Sequence, residues 1–323
     1  MSKFRRGKGS KLRQVAAEGE PDHVQAMAKT ILLSGSSGLI GTALAPALET
    51  MGHRVIRLVR HDTRRTSDIR WSPSAHLLDE RALADVDVIV NLSGETIGRR
   101  WTATRRRRIR SSRIDATDAI VTAMSKAEPR PRTLICASAV GYYGDRGNDV
   151  LDEQQPNGRG FLADICRQWE TSASFARRTS ARVVMMRSGV VLSKKGGALK
   201  QMLPPFRMGV GGRLGSGRQW MSWITLGDMV RAIAWLIDHE EISGPVNMCA
   251  PNPVQNSEFT HALGRELHRP TIFPVPSFAL WLLFGEMAGE TLLASQRAVP
   301  SVLTSSGFQF ESPAIDQALA QVL

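Results

Sequence analysis

Cysteine is scarce in this chain and badly spaced for either of its structural uses. Cys136, Cys166 and Cys249 are odd in number, far apart and without a C-x-x-C pairing. That excludes a disulfide frame and a cysteine zinc site, and fits a reduced, cytoplasmic thiol inventory. The seven histidines also lack metal-ligand spacing, so no metal is expected. No apolar run nears the roughly 20 residues that a membrane-crossing helix needs; the longest candidate, around 278–284, is far shorter. The basic N-terminus has no apolar stretch behind it, which excludes a secretory signal. Tyrosine is rarest of all. The only two, Tyr142 and Tyr143, are adjacent, so any chemistry that needs a phenol falls to that pair.

Acidic residues are missing from residues 99–113, which hold eight arginines, and residues 1–29 carry an excess of four positive charges. These two stretches account for the whole net charge of +12 and leave the rest of the chain neutral. A nucleic-acid binder spreads its positive charge over a folded face. Neither nucleic acid nor membrane is therefore expected as a partner, and a small molecule is. Most of the 99–113 arginines read as the solvated face of a helix. Residues 1–29, without apolar periodicity, read as a disordered basic tail; Met27, directly ahead of the first strand, is a second candidate start.

What is present is an ordinary apolar fraction, 42%, arranged in alternation. Residues 31–33 form a short apolar strand, followed by a glycine loop and a helical stretch over 39–51 closed by Gly52. Strands follow at 55–59 and 86–92, then a long helix with Ile109, Ala116, Ile120 and Met124 on one face. A strand at 134–138, a helix at 161–176 and a strand at 182–187 continue the rhythm. Strands alternating with such helices predict an α/β fold with a doubly wound parallel sheet. From about Gly196 the rhythm gives way to Gly- and Pro-rich segments. The expected organisation is a tail over 1–29, a dinucleotide-binding Rossmann domain over 30–250 and a smaller C-terminal substrate lobe over 251–323. No internal repeat is present.

The loop Gly35-Ser36-Ser37-Gly38-Leu39-Ile40-Gly41 follows a strand and opens a helix, the context its glycines require. Gly35 permits the turn, Gly38 lets backbone N–H groups approach a pyrophosphate, and Gly41 allows close helix packing. The helix N-terminus adds partial positive charge. About 20 residues on, an acid would grip a bare ribose and a base would accommodate a 2′-phosphate. The second strand ends in Val59 and Arg60, with Arg57 and His61 nearby and Asp62 one step late. A guanidinium pairs bidentately with phosphate, so the cofactor expected is NADP.

With these motifs the chain resembles the extended short-chain dehydrogenase/reductases. More narrowly it resembles the epimerase-like family that joins a Rossmann domain to a short C-terminal domain of its own. Besides the glycine loop, the motifs are 90–95 (VNLSGE), Trp101-Thr102 with Ser112-Arg113, 138–144 (SAVGYYG), Trp169-Glu170, 187–192 (RSGVVL), 211–224 (GGRLGSGRQWMSWI), and 250–253 (APNP) with Arg269-Pro270. The resemblance implies that Leu92, Ser93 and Val191 line the nicotinamide side. It also implies that Arg113 reaches the cofactor phosphates and that Ser138 is the catalytic serine. A hydroxyl capping a strand end is the other reading of Ser138.

The resemblance breaks at catalysis. The superfamily's Tyr-x-x-x-Lys pair uses an ammonium to lower a phenol's pKa from about 10. Here Leu162 and Cys166 stand at those positions when Glu170 is aligned with the superfamily's acid. Leu162, Ile165, Trp169 and Ala173 share helical spacing, so Cys166 reads as a small core residue, with a catalytic thiol as the alternative. Met221 stands where sugar-nucleotide epimerases place an arginine. Before the second-lobe helix, Thr225 and Gly227 replace the family's His and first Asp, and only Asp228 remains. Three functions stay open. One is an NADP(H)-dependent oxidoreductase with Tyr142 or Tyr143 as proton donor and Ser138 assisting. The others are an epimerase or dehydratase with bound cofactor, and a non-catalytic NADP(H) sensor. Trp220, Trp223 and Phe206 are either pocket walls or core.

Overall fold

The computed structural model describes residues 28–61 and 67–323. The expectations for the tail, apart from Ala28 and Lys29, and for Asp62 lie outside the described residues. Ile31, Leu32 and Leu33 are all fully buried. Because consecutive strand residues point to opposite faces, such a run requires a sheet covered on both sides, which parallel strands with crossover helices provide.

The first half of the chain runs β1 (Thr30–Ser34), α1 (Leu39–Thr50), β2 (Arg54–Val59), β3 (Ile69–Arg70), β4 (Val88–Asn91), α2 (Ala103–Lys126), β5 (Thr133–Ala139), β6 (Val150–Leu151) and α3 (Phe161–Ser174). It continues with β7 (Arg182–Ser188), β8 (Val190–Leu192), α4 (Gly197–Arg207), β9 (Trp220–Met221), β10 (Trp223–Thr225), α5 (Leu226–Asp238) and β11 (Gly244–Met248). The remainder is β12 (Val254–Gln255), α6 (Asn256–Glu266), α7 (Ser277–Phe284), β13 (Arg297–Ala298), α8 (Ser301–Ser305) and α9 (Ile315–Val322).

Seven strands form one sheet in the order β11-β7-β5-β4-β1-β2-β3, every pair parallel. The strand order reverses at β1 and β4, so a crevice opens at their C-terminal ends, where such sheets bind ligands. One face packs α1 and α5 through Leu44, Leu48, Ile233 and Leu236; the other packs α2 and α3 through Ile120, Met124 and Trp169. This is the doubly wound Rossmann-like fold that the alternation predicts. Fully burying each such aliphatic side chain stabilises by about 1.5–3 kcal/mol.

A third cluster joins Leu199, Leu203 and Phe206 to Trp223, Phe259, Leu263 and Leu319. The small lobe therefore draws on residues from both sides of position 250, with β8 pairing β10 and β9 pairing β12. Trp223 and Phe206 are core residues of this lobe. The chain then returns to the large domain, where Leu303 and Phe308 enter its core. Asp228 holds that return: its carboxylate accepts the backbone N–H groups of Glu311 and Ser312 at 2.9 and 3.1 Å.

Candidate active site

The glycine loop leaves β1 at Gly35, whose φ of 69° lies in the left-handed region and suits glycine. A Cβ there would sit 2.6 Å from the Leu92 carbonyl oxygen, and one at Gly41 would sit 2.3 Å from the Gly35 oxygen. At Gly38 a Cβ would meet only the Gly35 oxygen, at 3.2 Å, so its outer side is bare. The Gly38 N–H donates to the Gly35 carbonyl at 3.0 Å and closes the turn. Gly38 caps α1 without a side-chain hydrogen bond, which leaves the first-turn N–H groups aimed into the crevice. Ser37, Gly38, Leu39 and Thr42 face Lys195, Gly196 and Gly197 across a cleft of about 540 Å³. This bare cradle fits a dinucleotide's pyrophosphate. Ile40 instead packs toward the sheet.

Hydroxyls and an amide bolt the crevice floor together. Ser34 donates to Asn91 Oδ1 at 2.6 Å, Ser93 donates to the Ser34 hydroxyl at 2.9 Å, and Asn91 Nδ2 donates to Thr117 at 3.0 Å. Trp169 Nε1 also donates to Thr117, at 3.0 Å, so β1, β4, α2 and α3 meet at one buried point. Leu92 and Val191 are half-buried and pack on the core cluster beneath.

The two arginines near the end of β2 differ. Arg57 is fixed by Asp68 through two bonds of 2.9 and 2.8 Å. Arg60 is exposed and, among the described residues, makes no ion pair. Arg113 lies under the loop after β4. It donates to the carbonyls of Ile109 at 2.9 Å and Glu95 at 3.1 Å, and its guanidinium carbon lies 5.2 Å from the Trp169 ring. Burial lowers its pKa from the ordinary arginine value, against the pull of Cys166 and Glu95.

On the β5–β7 side, Ser138 is buried and donates to Glu170 Oε1 at 2.7 Å. Arg187, its register partner on β7, meets both oxygens of the same carboxylate at 2.9 Å each. The pair is almost wholly buried, with side-chain exposures of 4% and 9%. In sequence the two residues stand in separate motifs, 17 positions apart, and nothing local joins them. The available signal was Arg187 itself, a charge closing the apolar run 183–186. Tyr142 and Tyr143 form a short 3₁₀ turn after β5. The Tyr143 hydroxyl is in the core, its single proton shared between Asn247 Oδ1 at 2.7 Å and Asp152 O at 2.9 Å while its oxygen accepts from Arg187 at 3.1 Å. Burial pushes its pKa up to about 12 despite the adjacent Arg187. Tyr142 is half-buried, its ring 3.6 Å from the Arg187 guanidinium carbon.

Leu162 and Cys166 both lie on α3. Burial, reinforced by Glu170, pushes the Cys166 thiol up to about 12, more than Arg113 draws it down. That is the opposite of an activated thiol and agrees with a core role. Among the described residues no cluster could hold a metal ion, and no helix is long and apolar enough to cross a membrane.

Residues 275–322 match a C-terminal domain of unknown function, DUF1731. An epimerase family protein of Mycobacterium bovis is 48% identical over 290 residues, covering 90% of this chain and 96% of its own. The chloroplastic SDR39U1 homologue of Arabidopsis thaliana is 37% identical, with 91% and 86% covered. The crystal structure of human epimerase family protein SDR39U1 with NADPH superposes with a TM-score of 0.84 at 32% identity, covering 91% of this chain and 98% of the human one. Residues 31–249 match the NAD dependent epimerase/dehydratase family, and the chain belongs to it.

Proposed function

We propose that the protein is an NADP(H)-dependent oxidoreductase acting on a small carbonyl or alcohol, with Tyr142 as proton donor. The pairing of Tyr142 with Arg187 carries this reading. Of the two phenols only Tyr142 has a hydroxyl with no hydrogen bond to the described residues, and it follows Ser138 at the C-terminal edge of the sheet. Tyr143, held by three hydrogen bonds, is assigned to the core instead.

When bound, NADP(H) would be the source or acceptor of a hydride. Gly35, Ser36, Ser37, Gly38, Leu39 and Gly41 would hold its pyrophosphate, joined by Lys195 from across the cleft. Arg60 would pair the 2′-phosphate, since Arg57 is committed to Asp68. The NADPH in the human structure supports that choice. Leu92, Ser93 and Val191 would wall the nicotinamide end. Arg113, which donates to the Ile109 and Glu95 carbonyls and to the Ser112 hydroxyl, would shape the loop at 94–95 from beneath. Ser138 would act on substrate only by exchanging its bond to Glu170.

That last point favours a second reading, an NADP(H) sensor without turnover. The test is NADPH consumption by the purified protein against a panel of aldehydes and ketones. Turnover that Tyr142→Phe abolishes supports the reductase, whereas tight NADPH binding without turnover on any carbonyl favours the sensor.

A further inference from the structure

Helix α7 has the sequence SFALWLLF and buries only Leu280. Phe278 is 74% exposed, Leu282 74%, Leu283 61% and Trp281 49%. The preceding segment adds Ile272 and Phe273, also exposed. A contiguous patch of this kind marks an interaction surface rather than ordinary scatter.

What surrounds the patch names its partner. Arg100 donates to the Leu282 carbonyl at 2.8 Å, and Arg106 pairs with Glu286, so the end of α7 is pinned to the start of α2. Arg99 adjoins Arg100 in the chain, and Arg110 lies one helical turn beyond Arg106 on the same face. Among the described residues Arg99, Arg100, Arg107, Arg108 and Arg110 form no ion pair. Of the eight arginines of 99–113, with no acid among them, Arg100 and Arg106 thus hold the end of an exposed aromatic and aliphatic helix, with Arg99 and Arg110 next to them. Apolar side chains with a tryptophan, beside unpaired cations, are the chemistry of an anionic membrane surface.

We propose that α7 and the arginines at the start of α2 adsorb the protein to anionic lipid, with Phe278, Leu282 and Leu283 entering the headgroup boundary. Eight residues of helix span only about 12 Å, so α7 lies on the bilayer and does not cross it. Adsorption departs from the expectation that no membrane is a partner, which rested on reading these arginines as a solvated helix face; what stands is only that no helix of the described residues is long and apolar enough to cross one. A second copy is the weaker occupant, because a two-fold contact through α7 would bring two such arginine groups together as like charges leave water.

The test is co-sedimentation of the full chain with vesicles of phosphatidylglycerol and phosphatidylcholine in equal parts, against phosphatidylcholine alone. The expected result is binding to the anionic vesicles only, weakened at high salt. It should fall about tenfold or more in Phe278→Ser/Leu282→Ser and in Arg99→Glu/Arg110→Glu, with melting temperatures unchanged because all four side chains are exposed. No binding to either vesicle overturns the proposal. So does undiminished binding by Phe278→Ser/Leu282→Ser, which would put the charge of residues 1–29 in place of α7. A dimer in analytical ultracentrifugation that Phe278→Ser/Leu282→Ser dissociates assigns the face to a second copy and overturns it as well.

Discussion

The guanidinium of Arg187 lies 3.6 Å from the centre of the Tyr142 ring while both of its outer edges are taken by other groups. Glu170 occupies one edge through two bonds, and Tyr143 and the Glu153 carbonyl share the remaining nitrogen at 3.1 Å each. A cation fixed on so many sides is a rigid platform, and of the two rings on it Tyr142 is the one whose hydroxyl has no bond to the described residues. The two tyrosines should therefore separate cleanly by mutation. Tyr142→Phe should leave the melting temperature unchanged and lower turnover of a reducible carbonyl by about 10²-fold, as expected for loss of a proton donor. Tyr143→Phe should cost about 1–3 kcal/mol of stability, because it strands the buried Asn247 Oδ1 without a donor. Equal effects of the two variants on both readouts would count against the assignment.

The Arg187–Glu170 pair makes a second prediction. Glu170→Gln leaves a guanidinium in the core with no counter-charge and should cost about 3–5 kcal/mol, read by denaturant unfolding. The double variant Glu170→Gln/Arg187→Met removes the orphaned charge and should recover much of that loss. If the double variant instead loses the sum of the single losses, the two residues are not acting as a pair.

How far the sequence carried this picture depends on the range of the interaction. The glycine loop was legible because each constraint is local: Gly35 needs a positive φ, and Gly41 meets the loop's own backbone. The strand runs through 182–187 were legible for the same reason. Strand β11 was not, because Gly244 and Pro245 read as loop; a proline is tolerated there since β11 is the sheet's edge. Tyr142 and Tyr143 are indistinguishable as neighbours in sequence. A 3₁₀ turn sets successive side chains about 120° apart, so one enters the core and the other does not. The ion pair of Arg187 with Glu170 joins a helix to a strand, and no local pattern announces it.

Alkaline pH should destabilise the fold in a defined window. Burial pushes the thiols of Cys136 and Cys166 from 9.0, and the Tyr143 phenol from 10.0, up to about 12 in each case. Each folded-state value is raised, so the unfolded chain releases its protons first and draws the equilibrium toward itself. The stabilisation from keeping these groups neutral is complete below about pH 9 and is lost as pH rises toward 12. Melting temperatures should be flat with respect to these groups below that window and fall through it. Cys166→Ala should fall less steeply than the native chain, and an unchanged slope would remove Cys166 from the account.

Cofactor choice should turn on Arg60. Arg60→Asp should weaken NADPH binding by roughly tenfold to a hundredfold, the range for losing a charged hydrogen-bond partner, and should spare NADH, whose ribose carries no phosphate. Isothermal titration with both nucleotides reads this directly. Arg57→Ala makes the contrast: it removes two bonds to the Asp68 carboxylate, whose side chain is 3% exposed, so its main effect should be on melting temperature. Native protein that binds NADH as tightly as NADPH would remove the role given to Arg60.

The glycines of the loop should separate binding from folding in the same way. A Cβ at Gly41 would sit 2.3 Å from the Gly35 carbonyl oxygen and 2.7 Å from Ser36 Cα. Both neighbours are backbone, so Gly41→Ala must push the loop off α1, at about 1–3 kcal/mol for an overpacked contact. At Gly38 the only neighbour is the Gly35 oxygen at 3.2 Å, a contact that a few tenths of an ångström relieve. Gly38→Ala should therefore fold with nearly native stability. Its methyl group would nonetheless stand on the bare outer side of the turn, where a pyrophosphate has to approach the backbone N–H groups at the start of α1. The expected outcome is a melting temperature close to native for Gly38→Ala with NADPH affinity down by tenfold or more, against a lowered melting temperature for Gly41→Ala. Thermal melts with and without NADPH check both at once, because a ligand that binds only the folded chain raises its melting point by an amount that grows with the logarithm of its affinity. If Gly38→Ala keeps the full NADPH-induced rise, the phosphates do not lie over this turn.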